Sequence, residues 1–374
     1  MKLMGHAFDT DVFVVGGGPA GLAAAIACRQ QGLRVIVADS ALPPIDKACG
    51  EGLMPDSLDV LARLGVSLQG YETGSFQGIR FVGPECSAEA TFPVGRGLGV
   101  RRLLLHRALV QQAQSCDVEM LWGKHVSSVK DHVILVNGGA VYARWVVGAD
   151  GQNSQVRDWA GLSGSRSRVR RVGLRQHFHV RSWPDFVEIF WNKHGQAYVT
   201  PIGNNEVCIA LISRQRFISF EHGLAGFPAL AVRLQDALPV TRLQGGLSIS
   251  RRLARVHRRN MALIGEASGS VDAITGEGLA MAFRQALVLA PALAEGDLSV
   301  YGSEHRKIAK LPELMSRTML LMDRNQWLRD RSLRAFSRQP GLFARLLALH
   351  VGELKLKDFG AGGLLDLGWQ LLVA

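Results

Sequence analysis

The stretch DVFVVGGGPAGLAAAIACRQQGLRVIVADS, residues 11–40, decides the fold of this chain. Its two ends, Asp11–Val15 and Leu33–Ala38, are short apolar runs rich in β-branched residues, and they predict two buried strands. Between them, the Ala-rich run Leu22–Gln31 predicts a helix that stops at Gly32. The stretch therefore predicts a β-α-β unit, the building block of an α/β fold with a parallel sheet.

The turn between the first strand and the helix carries glycines in G-x-G-x-x-G spacing, at Gly16, Gly18 and Gly21. Gly16 allows a tight turn, Gly18 lets the backbone approach a pyrophosphate, and Gly21 lets the helix pack closely on the strand. The unpaired amides at the start of the helix favour the same anion. We expect a dinucleotide-binding cradle formed by Gly16, Gly17, Gly18, Pro19, Ala20 and Gly21.

Asp39 ends the second predicted strand, 18 residues after Gly21. At that position a carboxylate accepts hydrogen bonds from ribose hydroxyls and repels a 2′-phosphate. A glycine turn without a ligand is the alternative, and the flanking strands and the acid at this distance disfavour it.

Size and charge set broad limits. The chain has 374 residues, 47% of them hydrophobic, which predicts two domains or one elaborated α/β domain. The formal charge is +11, but it is dispersed and no aromatic-rich basic motif accompanies it. We therefore expect no nucleic-acid partner.

The cysteines predict a reducing compartment. Five are scattered along the chain without a C-x-x-C pair, so neither a zinc site nor a disulfide framework is expected, and we expect a cytoplasmic protein with no metal. The uncharged run Val12–Cys28 is too short and too rich in glycine for a membrane span.

Three later stretches add to the glycine turn. YARWVVGADGQNSQVRDWAG, residues 142–161, and NMALIGEASGSVDAITGEGLAMAFRQA, residues 260–286, each predict a strand, a glycine-containing loop and a helical start. GVRRLLLHRALVQQA, residues 99–113, predicts an amphipathic helix with Arg102 near its start. Together these motifs resemble the FAD-dependent oxidoreductases of the para-hydroxybenzoate hydroxylase and geranylgeranyl reductase superfamily.

The resemblance implies an α/β fold: a Rossmann-like (GR2-type) FAD-binding domain interleaved with an antiparallel-sheet substrate domain and followed by C-terminal helices. The expected FAD-binding domain is discontinuous, at residues 9–80, 95–172 and 255–300. The substrate-domain sheet is expected at 81–94 and 173–254, and the C-terminal helical region at 301–374.

The resemblance also implies cofactor contacts. Asp39 would hold the adenosine ribose, Arg102 the pyrophosphate and ribityl region, and Val126 the adenine through its backbone. Further FAD contacts are implied for Asp150, Glu266, Gly276 and Gly278. Glu266 stands where the superfamily usually has Asp, and a surface loop acid is its alternative reading. Ala273 stands where Pro is usual.

The loop DKACGEGLMP, residues 46–55, resembles the Cys-Gly-Gly-type turn that lies over the flavin in the reductase branch. Lys47 and Cys49 are therefore candidates for a catalytic role, with a small buried filler as the alternative for Cys49. Met54 and Pro55 predict the start of a helix over Asp56–Leu64.

Four strands are predicted in the middle of the chain, at Gly173–Val180, Phe186–Trp191, Gln196–Pro201 and Glu206–Ile212, and Gly78–Pro93 is expected to join them. Tyr198 is a third catalytic or pocket-lining candidate. The tryptophan motif of the halogenases is absent here. His177 and His179 share one side of a strand, and we expect sheet-surface or pocket histidines because no third metal ligand is spaced convincingly.

Residues 303–350 are predicted to be helical, with Pro340 beginning the last helix. The apolar tail GLLDLGWQLLVA predicts either packing or peripheral contact with a membrane surface. Oligomeric state is not predicted by any pattern in the chain.

Three functions remain open. We expect first a monooxygenase acting on an apolar or aromatic small molecule, in secondary metabolism, with NADH or NADPH as electron donor. A flavin-dependent C=C reductase of the geranylgeranyl reductase type is the alternative, and a non-catalytic flavin-binding module is the third. The fold alone does not choose among them.

Overall fold

The fold is built outward from the first β-α-β unit. The structure, a computed structural model, describes residues 8–162, 164–183, 185–215 and 218–360, with residues 165–169 described by their backbone alone. The predicted tail at 363–374 therefore lies outside the described residues, and its contact with a membrane stays a prediction.

The strands are β1 (Thr10–Val15), β2 (Val35–Asp39), β3 (Gly52–Leu53), β4 (Gly74–Phe76), β5 (Gly78–Val82), β6 (Ser87–Thr91), β7 (Gly97–Gly99), β8 (Glu119–Trp122), β9 (Val126–Lys130), β10 (Val133–Val136), β11 (Gly139–Gly148), β12 (Gly164–His179), β13 (Val187–Trp191), β14 (Gly195–Gly203), β15 (Glu206–Ser213), β16 (Leu238–Pro239), β17 (Gln244–Leu253), β18 (His257–Arg258) and β19 (Met261–Leu263). The α-helices are α1 (Pro19–Gln30), α2 (Pro55–Arg63), α3 (Arg102–Ser115), α4 (Gln155–Trp159), α5 (Phe220–Ala225), α6 (Pro228–Arg233), α7 (Gly278–Glu295), α8 (Leu298–Arg324), α9 (Gln326–Arg338) and α10 (Pro340–His350).

The first sheet is parallel at its centre, in the order β19-β11-β1-β2-β8. Val12 and Val14 of β1 pack against α1, α3 and α7, while Phe13 and Val15 pack on the other face against β9 and β10. Because both faces are covered, the central strands are apolar along their whole length, as parallel strands usually are. This sheet confirms the α/β prediction.

The second sheet has the order β16-β12-β15-β14-β13-β5-β6, and β17 pairs with β12. It is antiparallel except where β13 runs parallel to β5. Alternate residues of β14 point to opposite faces: Ala197 and Val199 pack against α5 and α6, whereas Tyr198 packs on the other face with Phe76 and Ile189. Strand β12 continues unbroken through residue 172, where the sequence placed a domain boundary, and the division into domains stays a prediction.

Several predicted boundaries shift. Helix α1 begins at Pro19 rather than Leu22, because proline suits the first helical position, where its missing N–H is not needed. Strand β2 begins at Val35 and includes Asp39. The helical region 303–350 is divided into α8, α9 and α10. Asn325 caps α9 by accepting a hydrogen bond from the Leu328 amide, and α10 begins at Pro340 as predicted.

The C-terminal helices pack on the second sheet. Residues of α9 and α10, including Phe336 and Phe343, contact Phe81 and its neighbours on β5 and β6. Among the described residues, no helix combines the length and the apolar character that crossing a bilayer requires.

Candidate FAD site and its cavity

The turn between β1 and α1 is shaped by contacts that only glycine permits. Gly16 has a φ of +109°, and a Cβ there would lie 2.5 Å from the carbonyl oxygen of Ala149. A Cβ on Gly21 would lie 1.9 Å from the Gly16 oxygen. Gly18 differs, since a Cβ there would meet no protein atom within 4 Å. Gly18 therefore faces open space at the start of α1, where a phosphate group has room to approach.

Asp39 is fixed beside this turn by backbone donors. Its Oδ2 accepts a hydrogen bond of 2.7 Å from the Gly17 amide, and its Oδ1 accepts one of 2.8 Å from the Ala41 amide. Each carboxylate oxygen has more than one acceptor site, so both can still accept from a ligand hydroxyl. Val126 lines the same region.

A cavity of about 710 Å³ begins at this turn and extends to the second sheet. All the predicted cofactor residues except Gly17 and Gly21 line it, as do the three catalytic candidates Lys47, Cys49 and Tyr198. Gly17 lies behind the wall, where a Cβ would clash with the ring of Trp122. The structure thus brings residues from distant parts of the chain around one space, and their roles toward a cofactor stay predictions.

Polar atoms on the cavity wall fit FAD. Two buried ones, Asp150 Oδ1 and Arg102 Nε, have no hydrogen-bond partner among the described residues. The other Asp150 oxygen accepts from the amides of Gln155 and Val156, at 2.7 and 3.1 Å. A buried polar atom without a partner is costly, so a hydroxyl-rich and anionic ligand would satisfy these groups.

The C-terminal part of the FAD-binding region supplies a second helix start. Gly276 has a φ of +70° and is followed by α7, whose first turn at Gly278 lines the cavity. Unpaired amides at the start of this helix carry partial positive charge, and the expected contact of Gly276 and Gly278 with a flavin stays a prediction. Ala273 donates its backbone N–H to Ser248 Oγ at 2.9 Å, a bond that proline cannot make.

Glu266 follows the buried strand β19 and lines the cavity. Its carboxylate forms an ion pair with Lys47 Nζ from the loop at 46–52. The two side chains are 42% and 51% exposed, so the pair is well hydrated and contributes little to stability. This ion pair connects the loop at 46–52 to Glu266, for which the resemblance implies a contact with FAD.

Tyr198 is held by a hydrogen bond from its hydroxyl to the carbonyl oxygen of Ile274, at 2.7 Å. Burial raises the pKa of this hydroxyl well above its usual range. A phenol with such a pKa is a poor proton donor to a substrate. The geometry therefore favours Tyr198 as a fixed part of the wall that supports the turn at 273–275.

The sequence analysis missed two buried polar groups beside the site. His106 Nε2 lies 2.9 Å from the Gly17 oxygen, and burial lowers the pKa of this ring. Arg171 pairs with Asp272 at 2.7 Å and also contacts Gln196, which in turn contacts Asp323 of α8. The partners of each group are far apart in sequence, so no local pattern predicts them.

Comparison with known proteins agrees with this geometry. The family model described as FAD binding domain matches residues 9–216, more than half of the chain. A solved flavoprotein/dehydrogenase from Cytophaga hutchinsonii has the same fold, with a TM-score of 0.82 at 19% identity over 97% of this chain and 98% of that one.

Three curated relatives differ in how much of the chain they match. A menaquinone reductase of Mycolicibacterium smegmatis is 28% identical over 78% of each chain. A digeranylgeranylglycerophospholipid reductase of Thermoplasma acidophilum is 27% identical over 73% of this chain and 74% of its own. A rifampicin monooxygenase of Streptomyces venezuelae is 32% identical over 43% of this chain and 36% of its own.

The family match, the relatives and the wall of the cavity agree on the cofactor and on the class of protein. The relatives are enzymes, which sets aside the non-catalytic flavin-binding module. This chain belongs to the FAD binding domain family and is an FAD-dependent oxidoreductase.

Proposed function

We propose that this enzyme reduces a carbon–carbon double bond in an apolar substrate of the prenyl type. The observation that carries the proposal is the extent of similarity. The two reductases match nearly three quarters or more of the chain, including the second sheet, whereas the monooxygenase matches less than half. From the sequence alone, C=C reduction was the second function expected, after monooxygenation. Because of the extent of similarity, we now propose it first.

The walls of the cavity suit such a substrate. Its sheet side includes Ile79, Val187, Ile189, Ala210 and Ile212, which offer apolar surface and no charge. An apolar chain laid on this wall would displace water from the space next to the cofactor. Polar and charged residues also line the cavity, among them Arg102 and Asp39 near the glycine turn and Arg175 and Thr200 of the second sheet.

Within this proposal, bound FAD, once reduced by an external two-electron donor such as NADH, NADPH or dithionite, would supply two electrons and one hydrogen to the double bond as a hydride. The amides of the β1–α1 turn and Arg102 would hold the phosphates, and Glu266 would orient the ribityl hydroxyls. The second hydrogen arrives as a proton. The Cys49 thiol is the candidate donor, since it lines the cavity and its Sγ accepts a 3.4 Å contact from the Glu51 amide.

Hydroxylation by a monooxygenase is the second candidate, supported by the match of a rifampicin monooxygenase to 43% of this chain. It requires NADH or NADPH and molecular oxygen. The same cavity accepts an aromatic substrate as readily, so the two reactions are separated by their products and not by the shape of the site.

The test is mass spectrometry of products from the FAD-loaded enzyme. Geranylgeraniol and menaquinone are incubated anaerobically with dithionite, and in parallel aerobically with NADH or NADPH. Because dithionite also reduces the quinone ring of menaquinone, the extracted products are reoxidised in air before analysis, and a gain of two hydrogens that survives this step is expected under anaerobic conditions. A gain of one oxygen, seen only in air, would replace the proposal with the monooxygenase. The Gly18→Ala variant, which is expected to fold without binding FAD, is the control for chemical reduction by dithionite.

A further inference from the structure

Glu51 has a backbone conformation that glutamate rarely adopts. Its φ is +60°, in the left-handed region, and it stands between Gly50 and Gly52. Its side chain is 0% exposed. A left-handed residue other than glycine persists only where its surroundings hold it in place, and such residues cluster at functional sites.

The side chain of Glu51 joins two parts of the molecule. Its Oε1 accepts a hydrogen bond of 2.9 Å from the backbone amide of Arg102, the first residue of α3. Its Oε2 lies 2.6 Å from His177 Nε2 on β12. A carboxylate at the start of a helix satisfies an unpaired amide and interacts favourably with the helix dipole.

The same loop is tied to β12 a second time. Arg175 forms an ion pair with Asp46, and its Nε lies 3.7 Å from Glu51 Oε1. His177 Nδ1 is fixed by Thr241 Oγ1 at 2.9 Å. We call Asp46, Glu51, Arg175 and His177 the loop clamp. Lys47 and Cys49 lie between its two acids, so the clamp determines where these side chains meet the cavity.

Glu51, His177 and Cys208 also form a cluster of potential metal ligands within 4.8 Å of one another. The surroundings disfavour a dication there. The guanidinium of Arg175 lies beside Glu51, and burial raises the pKa of the Cys208 thiol well above its usual range, which keeps it protonated. Both oxygens of Glu51 are already engaged.

We propose that Glu51 is a positioning residue for the FAD site. Through the loop clamp it holds Lys47 and Cys49 in the cavity wall, and through the Arg102 amide it sets the start of α3, from which the Arg102 side chain faces the cavity. The inference rests on FAD occupancy of the cavity and holds for either candidate reaction.

The Glu51→Gly variant tests it, because glycine adopts this φ without steric strain while the whole side chain, including the carboxylate, is lost. Hydrogen exchange of the peptide covering residues 44–54 is measured by mass spectrometry, together with FAD affinity and the visible spectrum of the bound flavin. We expect exchange at least about tenfold faster in this peptide and FAD affinity at least about tenfold weaker, the range for losing hydrogen bonds to a charged group.

Glu51→Gln is the conservative variant, since its amide oxygen can still accept from Arg102. Glu51→Gln should recover part of the exchange protection and of the FAD affinity. If Glu51→Gly does not fold, the measurements on Glu51→Gln alone test the proposal. Metal analysis of the purified wild type accompanies both variants. A stoichiometric bound metal lost in Glu51→Gly would overturn the proposal in favour of a metal site.

Glu188→Gln provides the matched control. Glu188 is a buried glutamate of the second sheet, paired with Arg80 and Arg233, and it does not line the cavity. Its variant should lower the melting temperature while exchange at 44–54 and the flavin spectrum stay unchanged. Equal effects of the two substitutions on exchange, or an unchanged loop and FAD affinity in Glu51→Gly, would show that Glu51 has no positioning role.

Discussion

The glycine turn at 16–21 and the loop at 46–52 line the same cavity, yet different interactions hold them in place. The turn is fixed by backbone contacts at distances that exclude a Cβ, such as Gly21 against the Gly16 oxygen. The loop is fixed by charged side chains, with Asp46 and Glu51 bound to Arg175 and His177 of β12. The turn depends on local spacing, and the loop depends on partners more than one hundred residues away.

The sharpest test of this difference is a pair of alanine substitutions in the turn. Gly21→Ala should lower the melting temperature and abolish FAD binding, because its Cβ would overlap the Gly16 oxygen. Gly18→Ala should leave the melting temperature of the apoprotein unchanged and weaken FAD binding more than about 100-fold, because its Cβ projects into the space for the phosphates. Thermal unfolding and FAD titration measure both effects. A Gly18→Ala protein that binds FAD normally would contradict the assignment of the cradle.

A second test removes a buried ion pair behind the cavity. Asp272→Ala leaves Arg171 fully buried without its partner, so the free energy of unfolding should fall by about 3–5 kcal/mol. Denaturant unfolding measures the loss. Glu304→Ala, which breaks a largely exposed pair with Lys307 on α8, is the control and should change stability by less than about 1 kcal/mol. Equal losses in the two variants would show that burial of the pair is not what matters.

A third test concerns how stability depends on pH through the buried residue His305. Its Nε2 lies 2.9 Å from Ser268 Oγ, two residues after Glu266. Burial lowers the pKa of His305 to about 4 from an ordinary value of 6.5. The folded protein therefore resists protonation of this ring, and stability is lost as pH falls from about 6.5 toward about 4, by up to about 3 kcal/mol.

Urea unfolding of the wild type and of His305→Gln at a series of pH values measures this contribution. The variant should show a shallower decline over the same interval, whatever its stability at neutral pH. Parallel curves for the two proteins would assign the acid sensitivity to other groups.

The smallest effect is expected at Lys47. Its pair with Glu266 is half exposed, so Lys47→Met should change the free energy of unfolding by less than about 1 kcal/mol. FAD affinity should fall by less than about fivefold, because a hydrated charge on the cavity wall contributes modestly. A much larger loss in FAD titration would place the Lys47 ammonium in direct contact with the cofactor and would make the loop, like the turn, part of the phosphate cradle.

The contrast between turn and loop also explains how far the sequence could be interpreted. The β-α-β unit, the glycine turn and Asp39 follow from spacing within thirty residues, and the structure reproduces the unit with small shifts at its ends. The sequence identified the loop at 46–52 as a candidate site, but it did not predict the contacts of the loop clamp. Nothing near Glu51 in sequence points to His177, and the left-handed φ of Glu51 is visible only in the structure.

The buried pair of Arg171 and Asp272 was unpredictable for the same reason. A charged residue in a strand normally predicts an exposed face, and only the folded chain shows that Asp272 and Gln196 contact Arg171.

The two histidines at 177 and 179 were predicted to share one side of a strand. Both belong to β12, but His177 is buried under the loop and His179 is exposed.

The order of segments along the chain has a consequence for biosynthesis. Helix α1, from the first thirty residues, packs against α7, and β11 pairs with β19, so the earliest and latest parts of the cofactor region complete each other. The emerging polypeptide cannot close its flavin compartment until about residue 295 has left the ribosome. Loading of the coenzyme should therefore follow the synthesis of α7, and a chain truncated shortly before α7 should remain colourless and vulnerable to proteolysis.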